Sequence, residues 1–400
     1  MRGFAVMGIL LLNIVGFAMP DAAYVNPAAW GGTDPFNTAV WAVNFVLFDG
    51  KMRGLFSVLF GASMLLVIQR AQTAGQNPRS VHLNRMAWLF VIGAAHYILL
   101  WWGDILVPYA ICGTLALAFV DKDVKQLLRW AAIFYVLYFV LATMLVAGGW
   151  WQSVQASAPN ADPDLVKITA DMLASFGKPG TDQITESLEL YRSDWLSIAR
   201  HHLSIFPDFL FNTLMFFTLD TLAMMLLGMA MLKSGFILGL WTPAIYAKVA
   251  VRAFAVGIVP MIALAAWVIA SDFDTVITFA AFFSFSFPFR IAMTIGWASG
   301  LLWLIVENRD HPVIVRVAAA GRAAFSNYLG TTILMTFIFY GWGLGLFGSI
   351  NRATAMLFVM ATWAIMLLWS KPWLQRFRFG PAEWLWRSLA RRSLQPMRLR

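Results

Sequence analysis

A few side chains in this very apolar chain are of a type and placement that could do chemistry. Asp220 and Arg290 stand near the middle of two long apolar runs, and His96 lies about two turns before the end of a third. Asp104 follows His96 just after Gly103, and Asp49, Lys51 and Arg53 form a charged trio ahead of a fourth run. Ionisable groups at membrane depth are costly, which makes each a candidate for function. Asp220 and Arg290 have opposite signs and could pair, either as a structural bridge or around a substrate. His96 reads as a hydrogen-bonded packing residue or as a general base or proton relay. Eight residues on a straight helix would turn Asp104 about 80° from His96 and raise it about 12 Å. The two meet directly only if the helix breaks at Gly103. The Asp49–Lys51–Arg53 trio either satisfies itself or holds an anion. His201 and His202 are adjacent and point to opposite sides, and no carboxylate–histidine spacing resembles a metal site, so no metal is predicted.

The elements that must position these groups are helices crossing a bilayer. Hydrophobic residues make up 60% of the 400 residues and charged residues 12%, with a mean hydropathy of +0.71. A soluble fold of this size could not present so little polar surface. A span needs roughly 20 apolar residues. Ten segments qualify: 3–19, 52–70, 86–102, 104–120, 130–149, 209–232, 250–270, 275–306, 323–346 and 353–369. The first is read as a retained helix rather than a cleaved signal. The eighth is long, and Pro288 beside Arg290 predicts a break or kink there. Gly296 and Gly300 in the same run predict close helix packing. Gly343–Gly348 matches G-x-G-x-x-G in letters alone, because no strand precedes it.

With the N-terminus in the cytoplasm, 21 of the 29 basic residues fall on the cytoplasmic side and seven on the other, with Arg290 inside a span. That bias predicts both termini inside. The net charge of +9 is then a rim and tail facing anionic headgroups, and no nucleic-acid partner is predicted. The single cysteine, Cys112, excludes an internal disulfide. The fold class is therefore an all-α polytopic membrane bundle of about ten helices. Residues 1–149 carry spans one to five, 150–208 an extracytoplasmic insertion, 209–370 spans six to ten, and 371–400 a basic tail. Within the insertion, Asp162-Pro163-Asp164 predicts a helix start. Gly177-Lys178-Pro179-Gly180 predicts a break, and a second amphipathic helix runs to about Ile205. This helical hairpin is a plain connector or a lid over a substrate cavity.

Five motifs in order resemble the YeiB family of bacterial membrane proteins, a family of unknown function. They are Arg2-Gly3-Phe4-Ala5 with Asn13-Ile14; Leu55-Phe56-Ser57 with Leu59-Phe60-Gly61-Ala62; His96 with Gly103-Asp104-Ile105-Leu106 and Tyr109-Ala110; Gly321-Arg322 with Asn327-Tyr328-Leu329; and Gly380 through Arg387. Family members usually carry residues before the Arg-Gly pair, so the resemblance predicts a natural start upstream of Met1. It also implies a distant similarity to transmembrane acyltransferases, which pass an acyl group from a cytoplasmic thioester donor to an acceptor across the membrane with a histidine as base. That histidine usually follows span one, and residues 20–37 contain none. The resemblance therefore implies His96 as substitute base and Asp104 as its orienting group. Lys51, Arg53, Asp49, Tyr109, Asp220 and Arg290 become candidate substrate contacts, and acetyl-CoA or another acyl-CoA the donor. A small-molecule or lipid substrate in the bilayer is the expected partner. Two other readings stand beside it. A transporter would bind its cargo at mid-depth near Asp220 and Arg290, and a non-catalytic component would be a solid bundle without a cavity. No span carries a channel-filter motif.

Overall fold

In the computed structural model, which describes residues 1–174, 176 and 179–399, proline and capping side chains punctuate a chain of nineteen α-helices. Gly177 and Lys178 of the expected break, and Arg400 of the basic tail, lie outside the described residues. The first half runs α1 (Arg2–Ala18), α2 (Ala22–Val25), α3 (Pro35–Leu47), α4 (Lys51–Thr73), α5 (Pro78–Leu99), α6 (Leu106–Ala116) and α7 (Val124–Ala156). Asp34 accepts from the backbone of Phe36 and Asn37 ahead of Pro35, Asn77 accepts from Ser80 N ahead of Pro78, and Asp123 with Gln126 forms a capping box. These supply partners for N–H groups that a helix start leaves free.

The insertion holds three helices rather than a two-helix hairpin: α8 (Pro163–Ala174), α9 (Asp182–Tyr191) and α10 (Trp195–Ser204). Asp162 starts α8 as expected, its carboxylate accepting from Asp164 N at 3.0 Å. The expected second helix is cut at Ser193 because Asp194 caps a new one, accepting from Leu196 N and Ser197 N. Then follow α11 (Phe206–Asn212), α12 (Thr218–Lys233), α13 (Pro243–Ala270), α14 (Thr275–Phe279), α15 (Phe287–Glu307), α16 (Pro312–Arg322), α17 (Ala324–Phe339), α18 (Arg352–Arg376) and α19 (Pro381–Arg391).

Six helical segments are long and apolar enough to cross a membrane: Pro35–Thr73, Val124–Ala156, Phe206–Lys233, Pro243–Ala270, Phe287–Glu307 and Arg352–Arg376. Arg2–Ala18, Leu106–Phe119, Thr275–Phe285 and Ala324–Phe339 are apolar but shorter. The six sort by position in the bundle. The apolar windows of Phe206–Lys233 and Pro35–Thr73 are 72% and 61% buried, whereas those of α7 and α13 are 17% and 22% buried. Helices apolar all round thus serve two purposes here, core and lipid-facing ring. α4 and α12 lie so close that a Cβ on Gly61 would meet the Met225 carbonyl, and one on Gly228 the Val58 carbonyl. Gly296 faces the Phe254 ring of α13, in keeping with the close packing read from its motif.

Three helical stretches carry an interruption. A left-handed Gly50 (φ 69°) turns the chain between α3 and α4, where a Cβ would also press on the Arg290 side chain. A π-helical segment, Thr213–Phe217, joins α11 to α12, and a second, Ala280–Phe285, joins α14 to α15. The expected break in the eighth run lies here, with Pro288 in the first turn of α15. The third run also ends early: α5 stops at Leu99 and α6 starts at Leu106.

Candidate functional site

The early end of α5 lets His96 and Asp104 meet. His96 Nδ1 lies 3.0 Å from Asp104 Oδ1, with both side chains essentially sealed from solvent. The chain leaves the helix a few residues before Gly103 and curls back, which cancels the rotation and rise of a straight helix. The other carboxylate oxygen, Oδ2, accepts from Val107 N at 2.9 Å in the first turn of α6. On its far side His96 Nε2 lies 2.9 Å from Thr332 Oγ1 of α17. Acid, imidazole and hydroxyl thus stand in line, each within hydrogen-bond reach of the next.

The Tyr328 ring lies one turn before Thr332, its centroid 5.2 Å from the His96 ring. Tyr328 also forms part of the wall of a cavity of about 280 Å³. The deep wall is apolar, built from side chains such as Phe56, Phe60, Met86 and Leu106, with the Tyr109 and Tyr328 rings. Arg2, Arg70, Arg85, Arg322 and Arg387 line it on the side that carries both chain ends. Glu383 is the acid of this wall, and its carboxylate is already engaged by Phe325 N, Ser326 N and Ser326 Oγ. Arg85 stacks on Trp386 with its guanidinium 4.1 Å from the ring centroid, and Trp386 Nε1 donates to the Arg85 carbonyl at 2.9 Å. Burial beside Arg391 and Arg2 pushes the Arg387 guanidinium down from its usual pKa. A surplus of guanidinium around an apolar throat fits a ligand with an anionic head and an apolar or neutral tail.

The remaining candidate residues gather at a second place, and not as their spacing suggested. Asp220 and Arg290 do not pair. Arg290 Nη2 donates to Asp49 Oδ2 at 2.8 Å and to the Phe282 carbonyl of the π segment at 2.6 Å. Asp220 takes the guanidinium of Arg53, which also donates to Thr221 Oγ1 at 3.2 Å. The trio therefore does not satisfy itself, since each member turns to a different neighbour. Lys51, expected in an outer loop, is fully buried, and its Nζ donates to the Phe45 carbonyl at 2.6 Å. Phe45 lies in the last turn of α3, where unpaired carbonyls favour a cation. Arg53 and Lys51 thus leave the outer-face charge tally and enter the bundle.

The cavity wall and this ionic group are joined at Tyr109. Its hydroxyl lies 2.8 Å from Ser57 Oγ, which donates to the Arg53 carbonyl at 2.9 Å. His202 is buried with its Nε2 3.2 Å from the Tyr191 hydroxyl, while His201 is exposed, so the adjacent histidines do part company. Among the described residues no group of three His, Cys, Asp or Glu side chains could hold a metal. Two features were missed from the sequence. Thr332 is one of three threonines in an apolar run, and its signal is the neighbouring hydroxyls of Thr331 and, one turn on, Thr336. The arginine-lined cavity draws on residues scattered from position 2 to 387, and its signal is that Arg2, Phe60, Tyr109, Arg322, Tyr328 and Arg387 all sit in the motifs quoted above.

Comparison with known proteins agrees with those motifs. The family model described as protein of unknown function (DUF418) matches residues 231–393. The chain is 31% identical to the uncharacterized protein YxaH of Bacillus subtilis (strain 168), over 99% of this chain and 94% of that protein. It is 30% identical to the uncharacterized protein YeiB of Escherichia coli (strain K12), over 99% and 96% respectively. No solved structure matches the chain.

Proposed function

The chain belongs to the YeiB family of membrane proteins, and from that premise we propose that it is an acyltransferase-like enzyme of the bacterial inner membrane. In this reading the arginine-lined cavity opens to the cytoplasm and receives a thioester donor, acetyl-CoA or another acyl-CoA. The acyl group passes to an acceptor at or across the membrane. The observation that carries the reading is the placement of Tyr328, which lines the cavity and touches the His96 ring. The apolar end of a cavity with an arginine-lined mouth thus abuts an acid–base pair. Guanidinium groups suit phosphate oxygens, and the apolar throat suits the thioester arm. His96 would act as base, with Asp104 fixing its tautomer. The ten-span topology belongs to the same proposal. α3 with α4, α11 with α12, and α14 with α15 each form one interrupted span, and α1, α5, α6, α7, α13, α17 and α18 make the other seven. Both termini and the basic tail then face anionic lipid in the cytoplasm.

Acetyl-CoA binding to the full chain in nanodiscs, followed by calorimetry, tests this. Saturable binding that weakens about tenfold in Arg322→Ala, and further at raised salt, is the expected result. Absence of binding at millimolar donor would sink the proposal.

A second reading, transport of a small or lipidic molecule, draws on a different observation. Asp49, Lys51, Arg53, Asp220 and Arg290 are gathered beside three interrupted helices; in this reading they lie at mid-depth, since interrupted helices with polar groups are how transporters build midplane sites. Flux into proteoliposomes that is lost in Asp220→Asn, without acetyl-CoA binding, would favour it.

A further inference from the structure

We infer that Thr332 is a covalent way-station: its hydroxyl takes the acyl group from the thioester donor and yields it to a hydroxyl or amine acceptor. The inference rests on the acyl-transfer reading above and adds to it the residue that bears the intermediate. It starts from the tautomer of His96. An ionised carboxylate only accepts hydrogen bonds. Asp104 Oδ2 accepts from Val107 N, and Oδ1 faces His96 Nδ1 at 3.0 Å. Nδ1 therefore carries the proton, and in the neutral ring Nε2 presents its lone pair. The atom facing that lone pair is Thr332 Oγ1, at 2.9 Å. The other acceptor within reach of this hydroxyl, the Tyr328 carbonyl, is farther at 3.3 Å. A base held by a carboxylate and aimed at an alcohol is the arrangement that activates a hydroxyl nucleophile.

Thr332 is buried between two cavities. Tyr328 separates it from the arginine-lined cavity, and the ring's polar ties are weak: its hydroxyl is 3.4 Å from both Ile105 N and the Gly103 carbonyl. On the other side Thr332 lines a small, mainly apolar cavity of about 10 Å³, with Asn13 and Thr331 as its other polar side chains besides Tyr328, roughly the room one water needs. The hydroxyl thus stands between the Tyr328 wall of the donor cavity and a second, water-sized space.

The step balances within these groups. Thr332 Oγ1 attacks the thioester carbonyl carbon. A C–O bond forms, the C–S bond breaks, and the hydroxyl proton moves to His96 Nε2. The imidazolium is held by Asp104 and returns that proton to the departing sulfur, leaving a free thiol. The acceptor then repeats the sequence: its oxygen or nitrogen attacks the ester, its proton passes through His96, and Thr332 regains its hydroxyl.

The test is intact-mass and peptide-mapping mass spectrometry of the full chain in nanodiscs after incubation with acetyl-CoA and acid quench. The expected result is one acetyl group per chain, on the peptide bearing Thr332. It is stable to neutral hydroxylamine, absent in Thr332→Val, restored in Thr332→Ser, and reduced roughly 100-fold or more in His96→Ala. Cys112→Ser should leave it unchanged. Donor that binds without any acetylated chain, or an acetyl group on another residue, overturns the role of Thr332 while acyl transfer stands. Failure of acetyl-CoA to bind at all overturns both.

Discussion

Arg290 reaches Asp49 at 2.8 Å across 241 residues of chain, and Asp220 is left to Arg53. The crossing of partners follows from the three interruptions. The turn at Gly50 swings Asp49 toward α15, and the first turn of α4 points Arg53 at α12. The π segment before Arg290 exposes the Phe282 carbonyl as a second acceptor for the guanidinium. A π segment costs good helical hydrogen bonds. Here polar side chains take up what it releases, since Thr218 Oγ1 donates to the Thr213 carbonyl at 3.0 Å and Ser286 Oγ to the Phe282 carbonyl at 2.9 Å.

This pairing predicts a pattern of coupling. Removing one member of a buried pair strands the other charge and costs about 3–5 kcal/mol, more than removing both. Arg290→Leu alone should therefore destabilise the protein more than Asp49→Leu with Arg290→Leu. Asp220→Leu should couple with Arg53→Leu, more weakly, because the Arg53 side chain is 27% exposed. Thermal unfolding of the single and double variants in detergent measures this. Coupling between Asp220 and Arg290 in place of these pairs would contradict the arrangement.

The membrane class, the helical content and the break at Pro288 were legible because apolar runs, caps and prolines act locally. The placing of Lys51 and Arg53 in a loop was misread because of helix α3. That helix has only 13 residues and carries Asn37, Thr38 and Asn44 among its apolar side chains, so it falls below the length of a span. Its C-terminal carbonyls are what bring Lys51 inside. Which charges meet was not legible, because hydropathy sets depth but not the rotation of one helix against another. The contact of His96 with Asp104 depended on where α5 stops, and the cavity on five stretches of chain from Arg2 to Arg387.

Backbone contact between α4 and α12 gives a second prediction. Gly61→Ala and Gly228→Ala each push a methyl into a carbonyl of the facing helix. Overpacking of this kind costs typically about 1–3 kcal/mol. Gly148 on α7 has nothing within 4 Å of an added Cβ, so Gly148→Ala should be neutral or stabilise by up to about 1 kcal/mol through helix propensity. A thermal scan of the three variants decides it, and equal losses at Gly61 and Gly148 would refute close approach at Gly61.

The insertion of α8 to α10 should loosen in acid. Burial first, and the charge of His201 second, push His202 from 6.5 to about 4. A histidine whose folded pKa is depressed resists protonation when folded, so acid favours the open form. Its contribution is intact above about pH 6.5 and is lost progressively as pH falls toward 4, reaching on the order of 3 kcal/mol. Hydrogen exchange across residues 182–204 should therefore quicken between about pH 6.5 and pH 4.5, after correction for intrinsic rates. In His202→Gln that pH dependence should shrink. A pH-independent protection pattern in the parent protein would count against this account.

Glu383 fastens the C-terminal helix α19 over the cavity. Its Oε1 accepts from Phe325 N at 2.7 Å and Ser326 N at 3.2 Å, in the first turn of α17. A carboxylate from the tail thus caps a helix almost sixty residues earlier, at the end where the dipole favours negative charge. Glu383→Ala leaves those donors without their acceptor and should cost about 1–2 kcal/mol. The cost should fall on the tail more than on the bundle, because α19 is otherwise held by Trp386 against Arg85 and Phe325 and by Ala382 N donating to Ser326 Oγ. Trypsin should then cut at Arg387 and Arg391 several-fold faster in Glu383→Ala than in the parent, with little change in the unfolding temperature. Glu383→Gln, which keeps an acceptor oxygen but loses the charge, should fall between them. Unchanged cleavage in Glu383→Ala would mean that the contacts of Trp386 and Ala382 hold α19 in place without the cap. In that case the cavity wall would not depend on the cap.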